Sequence, residues 1–448
     1  MGNHNLWAGR RGARLTCSSP MTTIVRAQVA HTPRNPFGEQ DALQAFTDGA
    51  VAFGDGRIVD VGAFSDVGDR YPDASVEDAR DAVLLPGFVD CHVHYPQLAV
   101  IGAMGSELLD WLRMRALPEE ARLADDAYAV AVADRFVRGL ARNGTTTALV
   151  FGSHFPGAQE ALFRAAAEVG LRVASGLVVS DRGLVPELRV SPAQAAQHSR
   201  ELIERWHGRG LLRYAVTPRF AVSCSDELLA VCGELASDTD GLLVTSHLNE
   251  TPAETELVAS LFPWARDYLE TYERHGLVGP RSVFAHDVHG TDEELRRLAS
   301  AGAAVAHCPS SNAFLGSGVF SLRRHLEFGT RVALGTDVGA GTGLSLLGEG
   351  LMAYQLQMLE GPDGLRLGPV HLLWLATAAG ARALGLDDEV GDLTPGKSAD
   401  FVLVRAPSGS TLAAVLERSD SVEETLGALF TLAREESIAE VRVAGRVV

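Results

Sequence analysis

The sequence predicts an α/β protein: a (β/α)8 barrel of the TIM type, with a small β-sandwich domain formed from both chain ends. Three observations support this prediction. Short apolar runs alternate with longer helical patterns through the middle of the chain, which favours βα units and a parallel sheet. Eight such runs can be counted, and short strand-like segments with glycine turns occupy both ends. Residues able to bind a metal or move protons follow several of the runs, as expected at one rim of a barrel.

Length and composition fit a single barrel with a small appended domain. The chain has 448 residues, of which 46% are hydrophobic and 21% charged, an ordinary composition for a soluble protein. The formal net charge of −18 argues against nucleic acid or an anionic membrane as a ligand, whereas a neutral heterocycle is compatible with it. Five scattered cysteines without a Cys-x-x-Cys pair predict reduced thiols in a cytoplasmic protein.

Four segments are predicted along the chain. Residues 1–21 form an N-terminal extension that is expected to be disordered, because it carries arginines but lacks the apolar stretch of a secretory signal. A natural start at Met21 is the alternative. Residues 22–85 and 388–448 form the two halves of the β-domain, and residues 86–387 form the barrel. The strand-like pieces of the β-domain are Ile24–Val29, Ala50–Phe53, Arg57–Val61, Asp400–Val404 and Glu440–Val448.

The eight apolar runs of the middle segment are the predicted barrel strands. Helical patterns such as Pro192–His207 and Asp292–Ala301 lie between most of them. A doubly wound sheet would produce a similar alternation, and the positions of the polar residues separate the two folds. The runs are Val83–Val89, Thr145–Phe151, Arg172–Val179, Leu212–Thr217, Gly241–Ser246, Ser282–Ala285, Ala303–Ala306 and Arg331–Gly335.

Two histidines directly after the first run are the first candidate metal ligands. His92 and His94 are two residues apart, so on a strand both side chains point to one face and can bind one ion. An isolated pair of this kind would more simply be two satisfied polar side chains on a half-buried strand. The prediction of a metal site depends on two further candidates, His247 after the fifth run and Asp337 after the eighth, although Asp337 could instead cap a helix.

Three neutral imidazoles and one carboxylate suit Zn²⁺ with an open position for water, and iron would accept the same donors. Such a metal lowers the pKa of bound water to about 7, which makes hydroxide available as a nucleophile. Glu250 and Asp337 are the candidates for moving protons to the leaving group. His286, at the end of the sixth run, could hydrogen-bond the hydroxide, bind a second metal or be a core histidine. His154 and the remaining histidines are interpreted as structural, surface or loop residues.

Two other chemistries are excluded by the motifs. The zinc deaminases of the cytidine deaminase type need Pro-Cys-x-x-Cys, which this chain lacks. The glycine-rich stretch Gly339–Gly343 has neither the Lys-Ser/Thr of a P-loop nor the spacing of a dinucleotide fingerprint. It is interpreted as a tight turn beside Asp337.

Several ordered motifs resemble the amidohydrolase superfamily, and within it the guanine deaminase family. The opening motif runs from Pro86 to His94 and continues through Gln97 to the segment Leu108–Leu112. The resemblance extends from about residue 22 to the end of the chain. The further matching motifs are Arg142–Thr147, Thr217–Phe220, His247–Glu250, Phe284–His286, Cys308–Asn312 and Gly335–Gly341.

The resemblance implies a (β/α)8 barrel with a small β-domain, and a cytoplasmic homodimer. It implies hydrolysis of guanine to xanthine and ammonia, in purine catabolism or salvage, with one Zn²⁺ per subunit. Glu250 would protonate a ring nitrogen, Asp337 would pass the water proton to the departing ammonia, and His286 would orient the hydroxide. The implied metal ligands are His92, His94, His247 and Asp337, and the implied purine-binding residues are Gln97, Arg219 and Phe220.

Two alternatives remain open at this stage. A related amino-heterocycle, such as 8-oxoguanine, a pterin, another purine or a triazine, would use the same metal chemistry. Only Gln97, Arg219 and the Leu109–Arg113 segment favour guanine. A barrel that has lost its metal and serves as a binding protein is disfavoured because no ligand candidate is missing. Asp287 departs from the family pattern and places an extra carboxylate beside His286, which is expected to raise the pKa of that imidazole. Trp111 is interpreted as a core residue rather than a stacking partner.

Overall fold

The computed structural model describes Met1 and residues 22–448. Except for Met1, the expected N-terminal extension over 1–21 therefore lies outside the described residues. Within those residues, sixteen strands form two sheets: one of nine strands in the middle of the chain and one of seven strands from its ends. No helix of the described part is long and apolar enough to cross a membrane.

The strands and helices alternate through most of the chain. The strands are β1 Thr23–His31, β2 Gln44–Gly54, β3 Arg57–Ala63, β4 Ser75–Pro86, β5 Phe88–His94, β6 Thr145–Phe151, β7 Arg172–Gly176, β8 Val178–Val179, β9 Leu212–Pro218, β10 Leu243–Leu248, β11 Ser282–His286, β12 Ala304–His307, β13 Arg331–Leu334, β14 Phe401–Val404, β15 Ile438–Val443 and β16 Arg446–Val447. The helices are α1 Phe64–Arg70, α2 Leu108–Trp111, α3 Leu117–Ala121, α4 Asp126–Arg142, α5 Pro156–Val169, α6 Pro192–Trp206, α7 Asp226–Asp238, α8 Pro252–Leu261, α9 Tyr268–Glu273, α10 Asp292–Ala301, α11 Pro309–Phe314, α12 Leu322–Glu327, α13 Leu346–Leu359, α14 Pro369–Ala376, α15 Ala378–Ala383, α16 Thr411–Leu416 and α17 Val422–Leu432.

Eight parallel strands form the barrel in the order β5, β6, β7, β9, β10, β11, β12 and β13, with the short β8 continuing beside β9. The residues after β13 close it against β5. The Asp337 N–H donates to the His92 carbonyl at 2.8 Å, and the His94 N–H donates to the Val338 carbonyl at 2.9 Å. The predicted (β/α)8 barrel is therefore confirmed.

The barrel strands are largely buried because helices cover their outer face while side chains fill the interior. Every residue of β5 and of β6 is buried. The surrounding helices begin and end at strong local signals. Thr291 and Glu294 form a capping box at the start of α10, and Gly302 adopts φ 70° after its last residue. These signals explain why the predicted bounds Asp292–Ala301 are those observed.

Both chain ends join in one sheet, in the order β16, β15, β14, β4, β1, β2 and β3. Strand β14 pairs antiparallel with β4, with Phe401 opposite Pro86. Alternate side chains of β1 serve two small cores, Val25 and Ala27 on one face and Ile24 on the other. The expectation that the ends pair is confirmed. Between β14 and β15, however, α17 packs on the barrel helices α13 and α14, which the sequence analysis does not anticipate.

The first predicted strand, Val83–Val89, is wrong as a single strand. The chain leaves the end sheet when β4 ends at Pro86 and enters the barrel at Phe88. Gly87 makes this crossing possible, because a Cβ there would lie 2.1 Å from Thr146 Oγ1. His92 and His94 consequently lie within β5 rather than after it. The other seven predicted runs each overlap an observed barrel strand.

Candidate active site

Four candidate ligands meet at the carboxyl ends of the barrel strands, and we call His92, His94, His247 and Asp337 the histidine cluster. His94 Nε2 lies 3.1 Å from His92 Nε2 and 3.3 Å from His247 Nε2. Asp337 Oδ1 lies 3.2 Å from the Nε2 atoms of both His92 and His94. Residues that are as many as 245 positions apart in the chain therefore converge on one point.

The histidine cluster has the dimensions of a cation site. Donors arranged tetrahedrally at about 2.0–2.1 Å from a zinc ion are about 3.3 Å apart, close to the observed 3.1–3.3 Å. Burial lowers the pKa of His94 to about 4 and holds that of His247 well below its ordinary value. Both imidazoles are therefore neutral near pH 7, as metal ligands must be. A wider grouping with His286 in place of His94 also has its donor atoms within 4.8 Å of one another.

Hydrogen bonds behind the cluster fix which ring nitrogen faces it. His247 Nδ1 lies 2.6 Å from the Arg219 carbonyl oxygen. A carbonyl can only accept, so Nδ1 carries the proton and Nε2 presents its lone pair to the cluster. His286 Nδ1 is similarly 2.9 Å from Asn312 Oδ1. These bonds orient both rings toward the same point.

The backbone at this rim is strained. Asn249, His286, Asp287 and Asp337 all have positive φ values, between 45° and 74°, although none is glycine. Such conformations cost energy and concentrate at functional sites. Buried Asp90 helps to hold the strand ends, since it accepts hydrogen bonds from Thr336 Oγ1 at 2.5 Å and from the Thr336 N–H at 3.1 Å.

Asp287 is hydrogen-bonded by two side chains other than His286. Its Oδ1 accepts from Asn249 Nδ2 at 2.9 Å, and its Oδ2 lies 3.1 Å from His325 Nε2. The carboxylate is thus bound by Asn249 and His325 behind the rim, where its role is structural. The sequence shows that a carboxylate follows His286, but the direction of its side chain depends on the strained backbone there.

Glu250 and His286 lie beside the histidine cluster. Glu250 Oε2 is 3.5 Å from His286 Nε2, which in turn is 3.7 Å from Asp337 Oδ2. Ser317 Oγ donates to Glu250 Oε1 at 3.0 Å. Burial, reinforced by the charge of Asp337, raises the pKa of Glu250 to about 8. A carboxyl that is largely protonated at neutral pH therefore lies within reach of the cluster.

A pocket with about 380 Å³ of free space opens above the cluster. Its cover is apolar and comes from the segment that follows β5, including Leu108 and Leu112. Trp111 packs in a small apolar cluster with Leu108 and Leu315, as expected of a core residue, and it also lines the pocket. The lining residues are His94, Gln97, Leu108, Trp111, Leu112, Arg219, Phe220, His247, Glu250, His286, Leu315, Asp337 and Ala340.

The polar wall of the pocket carries the residues predicted to bind a purine. Gln97, Arg219 and Phe220 all line it. Gln97 and Arg219 both donate to Glu120, a buried residue of α3 that the sequence analysis missed. Its sequence context, Leu-Pro-Glu-Glu-Ala, follows no strand end and contains a second acid, so nothing local distinguishes it from a surface residue. His154, interpreted as structural or surface, lies 3.2 Å from the same carboxylate.

Comparison with known proteins agrees with this site. Residues 83–448 match the amidohydrolase family, and residues 49–74 match the imidazolonepropionase-like composite domain of bacteria. The probable guanine deaminase of Deinococcus radiodurans is 56% identical over 430 residues, covering 95% of this chain and 98% of that protein. The guanine deaminase of Escherichia coli strain K12 is 39% identical and covers 94% of this chain and 95% of its own.

Three solved structures resemble this chain over nearly its whole length. E. coli guanine deaminase superposes with a TM-score of 0.90 at 37% identity, covering 96% of this chain and 99% of that one. The C. acetobutylicum guanine deaminase with guanine bound in the active site has a TM-score of 0.88 at 28% identity, with coverage of 95% and 100%. An adenosine deaminase from Xanthomonas campestris with bound zinc has a TM-score of 0.80 at 27% identity, with coverage of 96% and 93%.

The fold and the site together define a class of protein. A (β/α)8 barrel with buried histidines and a carboxylate at the carboxyl ends of its strands is the architecture of a metal-binding hydrolase. With the match over residues 83–448, this chain belongs to the amidohydrolase family. Both of these relatives and two of the three solved structures are named guanine deaminases or probable guanine deaminases, and the third structure is named an adenosine deaminase.

Proposed function

We propose that this chain is a guanine deaminase, which hydrolyses guanine to xanthine and ammonia in purine catabolism or salvage. The observation that carries the proposal is the lining of one pocket, which combines members of the histidine cluster, the hydrogen-bond donors of Gln97 and Arg219, and apolar residues such as Leu108 and Leu112. A planar base with a carbonyl and several ring nitrogens suits such a lining. The relatives named guanine deaminase, similar over nearly the whole chain, add independent support.

The proposed metal is one Zn²⁺ per subunit, held by His92, His94, His247 and Asp337. The 3.1–3.3 Å spacing of their donor atoms and their neutral imidazoles support this ligand set, and the Xanthomonas campestris neighbour is described with bound zinc. Fe²⁺ would accept the same donors. When bound, the metal would supply Lewis acidity and bring the pKa of a water to about 7.

Three side chains are proposed to move protons. Glu250, protonated at neutral pH because of its raised pKa, donates to the ring nitrogen beside C2 and so makes that carbon electrophilic. Asp337 accepts a proton from the attacking water and delivers it to the leaving amino group. His286, whose Nδ1 is fixed by Asn312, keeps the Nε2 lone pair to orient the water. The C2–N bond breaks, ammonia leaves, C2 retains the oxygen as a carbonyl, and the remaining hydroxyl proton returns to Glu250.

Arg219 is proposed to bind the opposite edge of the base. An arginine fork pairs naturally with O6 and N7 of guanine. The same donors would face the amino group of adenine, and two facing donors leave the arginine unsatisfied. Gln97 retains one amide N–H beyond its bond to Glu120, and Phe220 supplies an apolar edge. These residues favour an oxopurine over adenine.

A related amino-heterocycle is the second candidate substrate. 8-Oxoguanine and pterins carry the same carbonyl and amidine groups, and a triazine shares the reactive carbon. The donors of Arg219 and Gln97 favour a base with adjacent carbonyl and ring-nitrogen acceptors, which a chloro-triazine lacks. Guanine therefore remains the preferred substrate.

A panel of bases tests this proposal directly. Ammonia release would be measured for guanine, 8-oxoguanine, isoxanthopterin, adenine and a chloro-triazine, with metal content determined on the same preparation. We expect guanine to have the highest kcat/KM and the protein to carry close to one zinc per chain. Turnover of another base by metal-loaded protein that leaves guanine intact would overturn the substrate assignment.

We also infer a cytoplasmic homodimer. The four cysteines of the described residues are all buried and unpaired by disulfides, which suits a reducing compartment. The dimer rests on the resemblance to the family. Light scattering coupled to gel filtration would measure the oligomeric state, and a monomer at micromolar concentration would exclude the dimer.

A further inference from the structure

Glu120 is a buried carboxylate that the proposed chemistry does not use. It lies on α3 with 2% of its surface exposed. Its Oε1 accepts from Gln97 Nε2 at 2.7 Å and from Arg219 Nη1 at 2.9 Å. Its Oε2 accepts from Arg219 Nη1 at 2.8 Å and lies 3.2 Å from His154 Nε2. We call Gln97, Glu120, His154 and Arg219 the glutamate cluster.

The geometry leaves selected donors of this cluster free. Glu120 occupies one nitrogen of the Arg219 guanidinium, and among the described residues Nε and Nη2 have no hydrogen-bond acceptor. The amide of Gln97 is held at both ends, since its Oε1 accepts from the Gly339 N–H at 3.2 Å while one Nε2 hydrogen is bound to Glu120. Both side chains line the pocket, so their remaining N–H groups are available to a ligand there.

A buried ion pair of this kind contributes little to stability by itself, because removing two charges from water offsets their attraction. The role of the Glu120–Arg219 pair is therefore inferred from the side chains that it positions. A guanidinium on a flexible side chain discriminates between bases only when its orientation is fixed before the base arrives, since otherwise binding must order it. Glu120 supplies that fixation from a short helix packed directly behind the pocket.

We propose that Glu120 is a positioning residue for substrate specificity: it fixes Arg219 and Gln97 so that their free donors match the O6 and N7 edge of an oxopurine. This inference rests on the proposed function. It adds a link between two parts of the site, because α3 directly follows the segment that contributes Leu108, Trp111 and Leu112 to the pocket cover. Glu120 therefore connects the polar wall to the helix that follows the apolar part of the lining.

A purely structural ion pair would behave differently from a positioning residue. Loss of a structural pair would lower stability and would affect all substrates by the same factor. Loss of a positioning residue would selectively weaken bases that carry the O6 acceptor. 2-Aminopurine retains the C2 amino group of guanine but lacks O6, so a comparison of the two bases separates these roles.

The test uses Glu120→Gln in the full-length protein, with Glu120→Asp as the conservative variant and Glu119→Gln as the matched control. The amide introduced by Glu120→Gln would direct an N–H at one of the donors that the carboxylate now accepts. Glu119 lies on the same helix, but its partners are Arg122 and Tyr128 outside the cluster. Guanine and 2-aminopurine would be measured as substrates by ammonia release, and 2-aminopurine also as a competitive inhibitor of guanine turnover. Metal content and thermal unfolding would be followed in parallel.

We expect Glu120→Gln to lower kcat/KM for guanine roughly ten- to a hundredfold, mainly through KM, the scale of losing a bidentate base contact. For 2-aminopurine, the fold-change in kcat/KM or in the inhibition constant should be less than about one fifth of the fold-change for guanine. The metal content should be unchanged. Glu120→Asp should recover part of the preference for guanine, and Glu119→Gln should retain it fully.

Equal loss for both bases, or an unchanged preference in both Glu120 variants, would overturn the positioning role. If Glu120→Gln does not fold, Glu120→Asp carries the same comparison. Failure of the proposed function has a different signature, because the unmodified protein would then release no ammonia from guanine.

Discussion

The histidine cluster and the glutamate cluster are built in different ways. The histidine cluster stands on the barrel, with ligands from β5, β10 and the residue stretch that closes the barrel after β13. The glutamate cluster instead stands on connecting segments: a short turn after β5, the helix α3, and the loops after β6 and β9. Strand ends fix geometry through the sheet, whereas connections vary without disturbing the sheet. On the proposed function, the barrel would carry the reaction and the connections would select the substrate.

Their electrostatics differ as well. The histidine cluster brings neutral imidazoles and a carboxylate into contact without any cationic side chain among them. The glutamate cluster contains its own cation, because Arg219 neutralises Glu120 at 2.8–2.9 Å. Burial acts to raise the pKa of Glu120, but Arg219 and His154 hold it far below its ordinary range. The first cluster is completed by an ion from outside, and the second is complete within the chain.

Removing a ligand should have the largest effect and should be confined to the histidine cluster. We expect His92→Ala or His247→Ala to lose bound metal and to reduce ammonia release to the background level, because three donors no longer enclose the ion. Metal analysis and activity would be measured together, with His198→Ala on α6 as the control. Normal zinc and normal turnover in either variant would remove that histidine from the proposed ligand set.

Glu250→Gln should have the second-largest effect on activity. This variant separates metal binding from proton transfer. The amide preserves shape but cannot donate the carboxyl proton, so we expect a fall in kcat of roughly 10²–10⁴ with zinc retained. Steady-state kinetics and metal content on one preparation check this. Kinetics close to those of the unmodified protein would exclude Glu250 as the proton donor.

Arg219→Ala should affect binding more than chemistry, and it sharpens the contrast between the clusters. Loss of a bidentate contact to the base predicts a KM for guanine that rises roughly ten- to a hundredfold. The structure adds a second consequence, since the variant removes the cationic Arg219 from buried Glu120 and leaves it only Gln97 and His154, at a cost of up to about 3–5 kcal/mol in stability.

The double variant Arg219→Ala with Glu120→Gln removes that stranded charge. We expect it to recover part of the free energy of unfolding without recovering the KM. Denaturant unfolding and guanine kinetics measure the two effects separately. An unchanged KM in Arg219→Ala would place the base elsewhere in the pocket.

The same contrast explains what could be predicted from the sequence. His92, His94, His247 and Asp337 are predictable because each lies at or beside the end of an apolar run, and parallel strands bring their carboxyl ends together. Glu120 is not predictable in this way, because its position depends on how the segment 101–121 folds over the barrel. Gly87 is a related case: Pro86-Gly87 interrupts the apolar run, but only the structure shows that the chain changes sheets there, where Thr146 approaches too closely to admit a Cβ.

The smallest effect on activity is expected behind the rim, at Glu349 on α13. Its carboxyl accepts from the Ser310 N–H at 3.0 Å and from Ser310 Oγ at 2.6 Å. Burial raises its pKa from the ordinary 4.5 to about 8. Between these values the folded protein keeps a proton that the unfolded chain has released, so stability falls as pH rises through this window, by at most about 1.4 kcal/mol per pH unit.

Glu349→Gln imitates the protonated acid and cannot ionise. Its free energy of unfolding relative to the unmodified protein should therefore grow from pH 5 to about pH 8 and then level off, whereas Glu327→Gln at an exposed site of α12 should show no such trend. Denaturant unfolding across this range measures both. A difference that is independent of pH would mean that Glu349 is already ionised in the folded protein. Glu349, which lies behind the histidine cluster, would then be a buried anion. The surroundings of the two clusters would differ less in their electrostatics.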